Sequence, residues 1–227
     1  MAQRSVLVTG GNGGLGRAVT EAFVGAGWRV VVPVRDPQVP VPDEALAVPA
    51  DLTDPGAVAR TAAVAAGEDG APLRAVVNLV GGYAAGGLVH ETPIDQVERL
   101  LAVNLRPTYL VTQAALPHLT QAGGGAVVCV SARAAVAPFA GAAGYVVAKA
   151  AVLAFSGAVA VEYKNVGVRC NAVLPSVIDT PANRAAQPQA DHSRWVPPAE
   201  LATVIRFLAG PESAPISGAA IPVYGRA

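Results

Sequence analysis

Tyr145 and Lys149 stand four residues apart in "AAGYVVAKAAV", a run whose apolar residues recur at helical spacing. On a helix, residues four apart share a face, so this phenol and this ammonium point to one spot. Opposite charges about 4 Å apart at an effective dielectric of about 20 attract by roughly 4 kcal/mol, enough to draw a tyrosine pKa of about 10 towards neutrality. A tyrosine tuned in that way is a usable general acid or base. The same spacing also fits a packed tyrosine beside an exposed lysine. Only two of the 16 basic residues are lysines, Lys149 and Lys164. An ammonium seated between a phenol and the hydroxyls of a ribose is a place where a planar guanidinium substitutes poorly.

A ribose is to be expected because of a second constellation. "TGGNGGLG", Thr9 to Gly16, lies between the short β-branched run "SVLVT" and the helical pattern "LGRAVTEAFVGAGW". In that setting Gly10 permits a tight turn, Gly14 lets the backbone approach a pyrophosphate and Gly16 allows close helix packing, while the N–H groups that open the helix attract negative charge. This is a dinucleotide site. The end of the next strand, "RVVVPV", should meet the adenosine ribose, where an acid selects NADH and an arginine favours the 2′-phosphate of NADPH. Val34 holds the acidic position, and Arg35 and Asp36 follow. NADPH is therefore expected in preference to NADH, with Asp36 able to reach back and Arg35 otherwise a solvated loop charge.

The elements that must position these groups alternate. Six further strands ("RVVVPV", "ALAVPADLT", "RAVVNLV", "GAVVCVS", "VGVRCNAVLP", "GAAIPVY") follow the first, separated by helical patterns, and this predicts one doubly wound parallel sheet of the Rossmann type with helices on both faces. The proline-rich "RDPQVPVPDEA" reduces one crossover to a loop. Thr92, with Pro93 and Asp95, reads as the N-cap and first turn of one long helix through "IDQVERLLAVNLRPTYLVTQAALPHL". Residues 176–198 read as irregular and lid-like. No linker or repeat divides the 227 residues, so 1–227 is expected to be a single catalytic domain.

Composition excludes several function classes. Sixteen basic against 16 acidic residues provide no field to draw in nucleic acid or an anionic membrane. Cys129 and Cys170 sit in apolar runs as small hydrophobes, with neither a disulfide framework nor metal spacing. His90 and His118 have no ligand-spaced partner, so no metal is expected. The N-terminal "MAQRSVLVTGGNGG" has no signal-peptide core and no apolar stretch reads as long enough to span a bilayer, which points to the cytoplasm.

These residues resemble the short-chain dehydrogenase/reductase family along the chain from Val6 to Gly225. "TGGNGGLG" is similar to its TGxxxGxG turn, "DLT" at Asp51 to its adenine-contacting acid, "NLVGG" at Asn78 to its NNAG segment, "VNL" at Asn104 to its catalytic asparagine and "YVVAK" to its YxxxK. The resemblance implies that Tyr145 protonates the substrate, that Lys149 binds the nicotinamide ribose and tunes Tyr145, and that Asn104 holds a water in a proton relay. It also implies cofactor contacts at Asn12, Leu15, Leu52, Asn78, Val80, Gly81, Gly82, Pro175, Val177 and Ile178, and a homodimer or homotetramer packed through the helices of Asn104 and Tyr145.

The family's serine stands thirteen residues before the tyrosine. Here that position is Ala132, with Ser131 one place earlier. Neighbours on a strand point to opposite faces, so Ser131 should face away from the site unless a bulge turns it back as a displaced catalytic serine. The dihydropteridine reductase-like members also lack this serine. They are similar in "ARAA" after Ser131, in "GGYAAGG" from Gly81 and in "DTPANRAAQPQADHSRW" from Asp179. That resemblance implies reduction of a small planar substrate such as a quinonoid dihydropterin, with Tyr83, His192 and Trp195 as candidate substrate contacts. A ketone or alcohol oxidoreductase of the same fold and a non-catalytic nucleotide sensor remain as alternatives.

Overall fold

The computed structural model describes residues 3–226. Its β-branched runs form β1 (Ser5–Thr9), β2 (Arg29–Val34), β3 (Leu46–Pro49), β4 (Leu73–Asn78), β5 (Gly125–Val130), β6 (Val168–Pro175) and β7 (Ala220–Val223). All pair in parallel in the order β3-β2-β1-β4-β5-β6-β7. The strand order reverses between β1 and β4, so a crevice opens at their carboxyl ends, where such sheets bind ligands.

Successive strand residues point to opposite faces, and the core divides accordingly. Val6, Val8, Val30, Val32, Ala75, Val77, Val128 and Val173 pack with Val19 and Phe23 of α1 (Gly14–Gly25) and with Leu201, Ile205 and Leu208 of α7 (Pro198–Ala209). Leu7, Val31, Val76, Val127, Cys129 and Cys170 pack on the other face. There they meet Val58 of α2 (Pro55–Ala66), Val111, Leu116 and Leu119 of α4 (Arg106–Gln121), and Val152 and Val159 of α5 (Ala143–Glu162). Both cysteines are buried and free, and they serve as core.

Local chemistry sets the ends of the elements. Asp54 caps α2 by accepting from Gly56 N and Ala57 N, and Pro55 occupies its first turn. The proline-rich crossover, with Pro37, Pro40 and Pro42, contains no helix. β3 and β7 form the two edges of the sheet, and each includes a proline, Pro49 and Pro222.

Four expectations need correction. The single long helix is two, α3 (Ile94–Asn104) and α4, meeting at Leu105, because Pro107 has no N–H to carry the ladder through. Thr92 does not cap α3; its hydroxyl donates back to the Leu88 and Gly87 carbonyls, and Pro93 takes the cap position. Among the described residues α5 is long and apolar enough, by length and composition, to cross a bilayer, contrary to the reading that no stretch qualifies. It buries Ala148, Lys149, Val152, Ser156 and Val159. The stretch 176–198 is also more ordered than expected, holding the short α6 (Pro181–Ala186), which Thr180 caps through Asn183 N.

Candidate active site

The turn after β1 is built around close backbone approach. Gly10 has a φ of +66°, a left-handed conformation that favours glycine, and its carbonyl accepts from Gly13 N at 3.0 Å. A Cβ at position 16 would collide with that carbonyl, so helix and turn touch only because Gly16 has no side chain. α1 starts at Gly14 with no side-chain cap and no acid in its first turn, which leaves the positive end of its dipole for an outside anion. The turn therefore fits a pyrophosphate. Asn12 and Leu15 lie in this turn and at the helix start, and Val80 packs against Gly10. Thr9 Oγ1 accepts from Leu79 N and Val80 N, joining the turn to the end of β4 across the switch point.

At the adenosine end Val34 is buried and Arg35 is exposed. The Asp36 carboxylate accepts from Gln38 N at 2.9 Å, so it closes its own turn instead of reaching back towards the strand. Asp51 Oδ1 accepts from Thr53 N and Thr53 Oγ1, both at 2.8 Å, and these bonds, with Arg35 adding a smaller effect, hold its carboxyl below the usual range. Leu52 is half-buried against the core. Asn78 departs from its expected place. Its amide is buried on the α4 side, donating to Thr112 Oγ1 at 3.0 Å, while Oδ1 has no protein partner.

The catalytic candidates converge on Gly81. A Cβ there would lie 2.6 Å from Asn104 Oδ1 and 3.1 Å from Lys149 Nζ, so the glycine is what lets both groups close on the loop. Asn104 ties the loop to α3: Oδ1 accepts from Gly82 N at 3.2 Å, and Nδ2 donates to Gly82 O at 3.0 Å and to Leu100 O at 2.9 Å. Both amide hydrogens are engaged in pinning the loop, and Oδ1 keeps a second lone pair. Lys149 Nζ donates to the Val130 carbonyl at 3.1 Å, and burial brings its pKa down to about 8. Burial, with Tyr83 nearby, pushes the Tyr145 phenol up to about 12. The expected lowering of Tyr145 by Lys149 is thus not in place: burial disfavours the phenolate, and the ammonium is bonded to the Val130 carbonyl. Ser131 faces away, as strand alternation requires. It is 2% exposed and its hydroxyl donates to the Lys149 main-chain carbonyl at 2.7 Å, so it is not a displaced catalytic serine.

The aromatic candidates separate into two groups. Tyr83, 64% exposed, meets Tyr145 edge to face with ring centroids 5.0 Å apart. Trp195 is 7% exposed and its ring lies 4.3 Å from that of His192, tilted by 48°, and the His192 ring also bonds to the Gln187 carbonyl, so these two pack residues 176–198. Pro175 ends β6, Val177 O accepts from Val196 N, and Ile178 O accepts from Thr180 N and Asn183 Nδ2. These bonds set Thr180, which the sequence reading missed, directly over the turn: a Cβ on Gly14 would lie 2.9 Å from its methyl group. Gly11 was missed too, although a Cβ there would strike Thr20 and Val32. Among the described residues no group of three His, Cys, Asp or Glu is gathered for a metal.

The family described as short chain dehydrogenase matches residues 4–191. A 2-(R)-hydroxypropyl-CoM dehydrogenase of Xanthobacter autotrophicus is 33% identical over 98% of this chain and 97% of its own. A short-chain type dehydrogenase/reductase of Mycobacterium ulcerans superposes with a TM-score of 0.92 at 25% identity, covering 100% of this chain and 90% of that one. A 3-ketoacyl-(acyl-carrier-protein) reductase of Brucella melitensis, solved with NADH, gives 0.87 at 27% identity over 99% and 98%. With the glycine turn, the switch-point crevice and the Tyr145–Lys149 helix already in place, this chain belongs to the short-chain dehydrogenase/reductase family and is an oxidoreductase of the NAD(P)-dependent kind.

Proposed function

We propose that this protein is a cytoplasmic NADPH-preferring reductase of small planar, conjugated substrates of the quinonoid dihydropterin class, with Tyr145 as proton donor. One observation carries the reading: no hydroxyl stands at Ala132, and that of Ser131 is turned onto the Lys149 carbonyl. Reduction of a simple ketone builds charge on one oxygen, and losing a donor aimed at it costs about 2.7 to 4 kcal/mol. A conjugated acceptor spreads that charge over its ring and demands less. Tyr83, exposed beside Tyr145, offers a flat apolar surface for such a ring.

The residues present fit the cofactor at the glycine turn. A reduced nicotinamide supplies the hydride when bound there. Tyr145, with its pKa pushed up to about 12, carries its proton throughout the physiological range and so starts as an acid, the form that reduction uses. Lys149 is the cation at the end of β5 able to meet ribose hydroxyls. With Val34 in the acidic position and Asp36 closing its own turn, Arg35 is the charge left to meet a 2′-phosphate, which supports NADPH. An outward face of α5 formed by Val147, Ala154, Ala158 and Val161 supports a homodimer or homotetramer packed through the helices of Asn104 and Tyr145.

A second reading, a ketone or alcohol oxidoreductase, is favoured by the hydroxypropyl-CoM dehydrogenase and 3-ketoacyl reductase among the relatives. Oxidation of NADPH and NADH by a quinonoid dihydropterin and by a panel of ketones, in the natural protein and in Ala132→Ser, separates the two. The expected result is turnover with the pterin, and ketone turnover that rises only when the serine is restored. Efficient ketone reduction by the natural protein without pterin activity would establish the second reading instead.

A further inference from the structure

Ser131 is left without a part in the reaction by its orientation, yet its surroundings are specific. It follows the last residue of β5, its N–H donates to Val173 O on β6 at 3.0 Å, and its hydroxyl donates to Lys149 O at 2.7 Å. One residue earlier, the Val130 carbonyl accepts from Lys149 Nζ at 3.1 Å. The end of one strand therefore grips both ends of the same lysine, its main chain through a side chain and its side chain through a main chain.

We propose that Ser131 is a positioning residue for Lys149: its hydroxyl fixes the turn of α5 that carries the lysine against the end of β5, and so holds the ammonium at the Val130 carbonyl beside Gly81. A carbonyl inside an α-helix already has its partner four residues on, so the extra bond from Ser131 is not needed to satisfy α5. Its effect is to locate the helix. The turn it holds follows directly after Tyr145, so both members of the pair inherit the alignment. In a close-packed interior a small displacement of a positioning group is felt at the reacting atoms.

The groups around the ammonium make its position measurable. Cys129 on β5 raises its pKa slightly, the neutral Asn104 amide of α3 lies across Gly81, and Tyr145 stands one turn earlier on α5. Burial dominates and brings the lysine down to about 8. Without the Ser131 hydroxyl the turn slackens, the ammonium moves from the Val130 carbonyl towards the open groove, and its pKa climbs back towards the ordinary lysine value.

The chain contains two lysines, so a protein grown on 13Cε-labelled lysine yields two resonances, and Lys164→Arg assigns them. The titration is read on the free enzyme and does not depend on which substrate is reduced, so it fails or succeeds separately from the substrate assignment. We expect Lys149 to titrate about one pH unit higher in Ser131→Ala and at its natural value in Ser131→Thr, which keeps the hydroxyl. Turnover should fall about tenfold in Ser131→Ala for every acceptor the enzyme uses and recover in Ser131→Thr. A folded Ser131→Ala in which Lys149 titrates unchanged overturns the proposal, even if its melting temperature drops. If Ser131→Ala does not fold, Ser131→Cys, which retains a weak donor, gives the decision: a smaller upward shift supports the clamp, and none rejects it.

Discussion

Tyr145 and Lys149 were singled out by their spacing and the rarity of lysine taken together with the glycine turn, but their titration was not legible, because it depends on how deeply the fold buries them. An isolated pair at this spacing should lower the phenol; the folded protein raises it to about 12 and lowers the lysine to about 8. Replacing Tyr145 by phenylalanine keeps the ring and removes the proton, so turnover should fall roughly a hundredfold while cofactor affinity stays nearly unchanged. Steady-state rates and a fluorescence titration check both halves. Lys149 also carries a stability signature. Its folded pKa lies below its unfolded value, so between pH 8 and about 10 this site binds more protons in the unfolded chain and its own contribution to stability rises with pH, by up to about 1.4 kcal/mol per unit. The raised Cys129 thiol and, above pH 10, the raised Tyr145 act in the opposite direction, since each ionises first in the unfolded chain. Chemical denaturation from pH 7 to 10 should show the natural protein gaining stability relative to Lys149→Met as the pH rises. The direction of Ser131 was legible, since alternation along a strand needs no tertiary information. The engagement of Asn104 by Gly82 was not, because it joins groups 22 residues apart.

Elements were read well where periodicity is local. The seven strands, the helix-free proline crossover and the α1 turn follow from β-branched runs, prolines and glycines placed in order. The break between α3 and α4 was missed because apolar spacing continues across Leu105 while Pro107 acts on a single hydrogen bond. Short α6 was missed because six residues contain too few turns to show a period. The glycine turn allows a sharp test at this scale. In Gly16→Ala the new methyl would run into the Gly10 carbonyl, and the turn must open to admit it. Affinity for NADPH should drop by at least tenfold and the melting temperature should fall as well, both measurable by thermal shift with and without cofactor. Gly14→Ala meets the Thr180 side chain instead of backbone, so it should weaken binding with a smaller loss of stability.

At the level of the whole molecule, the sequence indicated a parallel sheet wrapped on both faces, but the strand order and the crevice it creates belong to the folded chain. The long apolar α5 illustrates the difference. Its inner face covers β5 and β6, while Val147 and Val161 on its outer face are 51% and 66% exposed. Val147→Glu with Val161→Glu should shift the sedimentation of the protein towards the monomer; an unchanged profile would place any oligomer contact elsewhere. The edges of the sheet behave differently from that face. Ala50 N bonds inward to Val34 O, so alternation turns the backbone of Pro49 outward; Ser176 N bonds to Val223 O, so Pro222 likewise faces out from β7. On each side the proline removes one of the two outward-facing amides of the edge strand, and Ala47 and Ala220 keep the other. The molecule therefore exposes apolar residues along one helix, while at each lateral border a proline breaks the row of amides along which strand-by-strand growth towards fibrils would proceed.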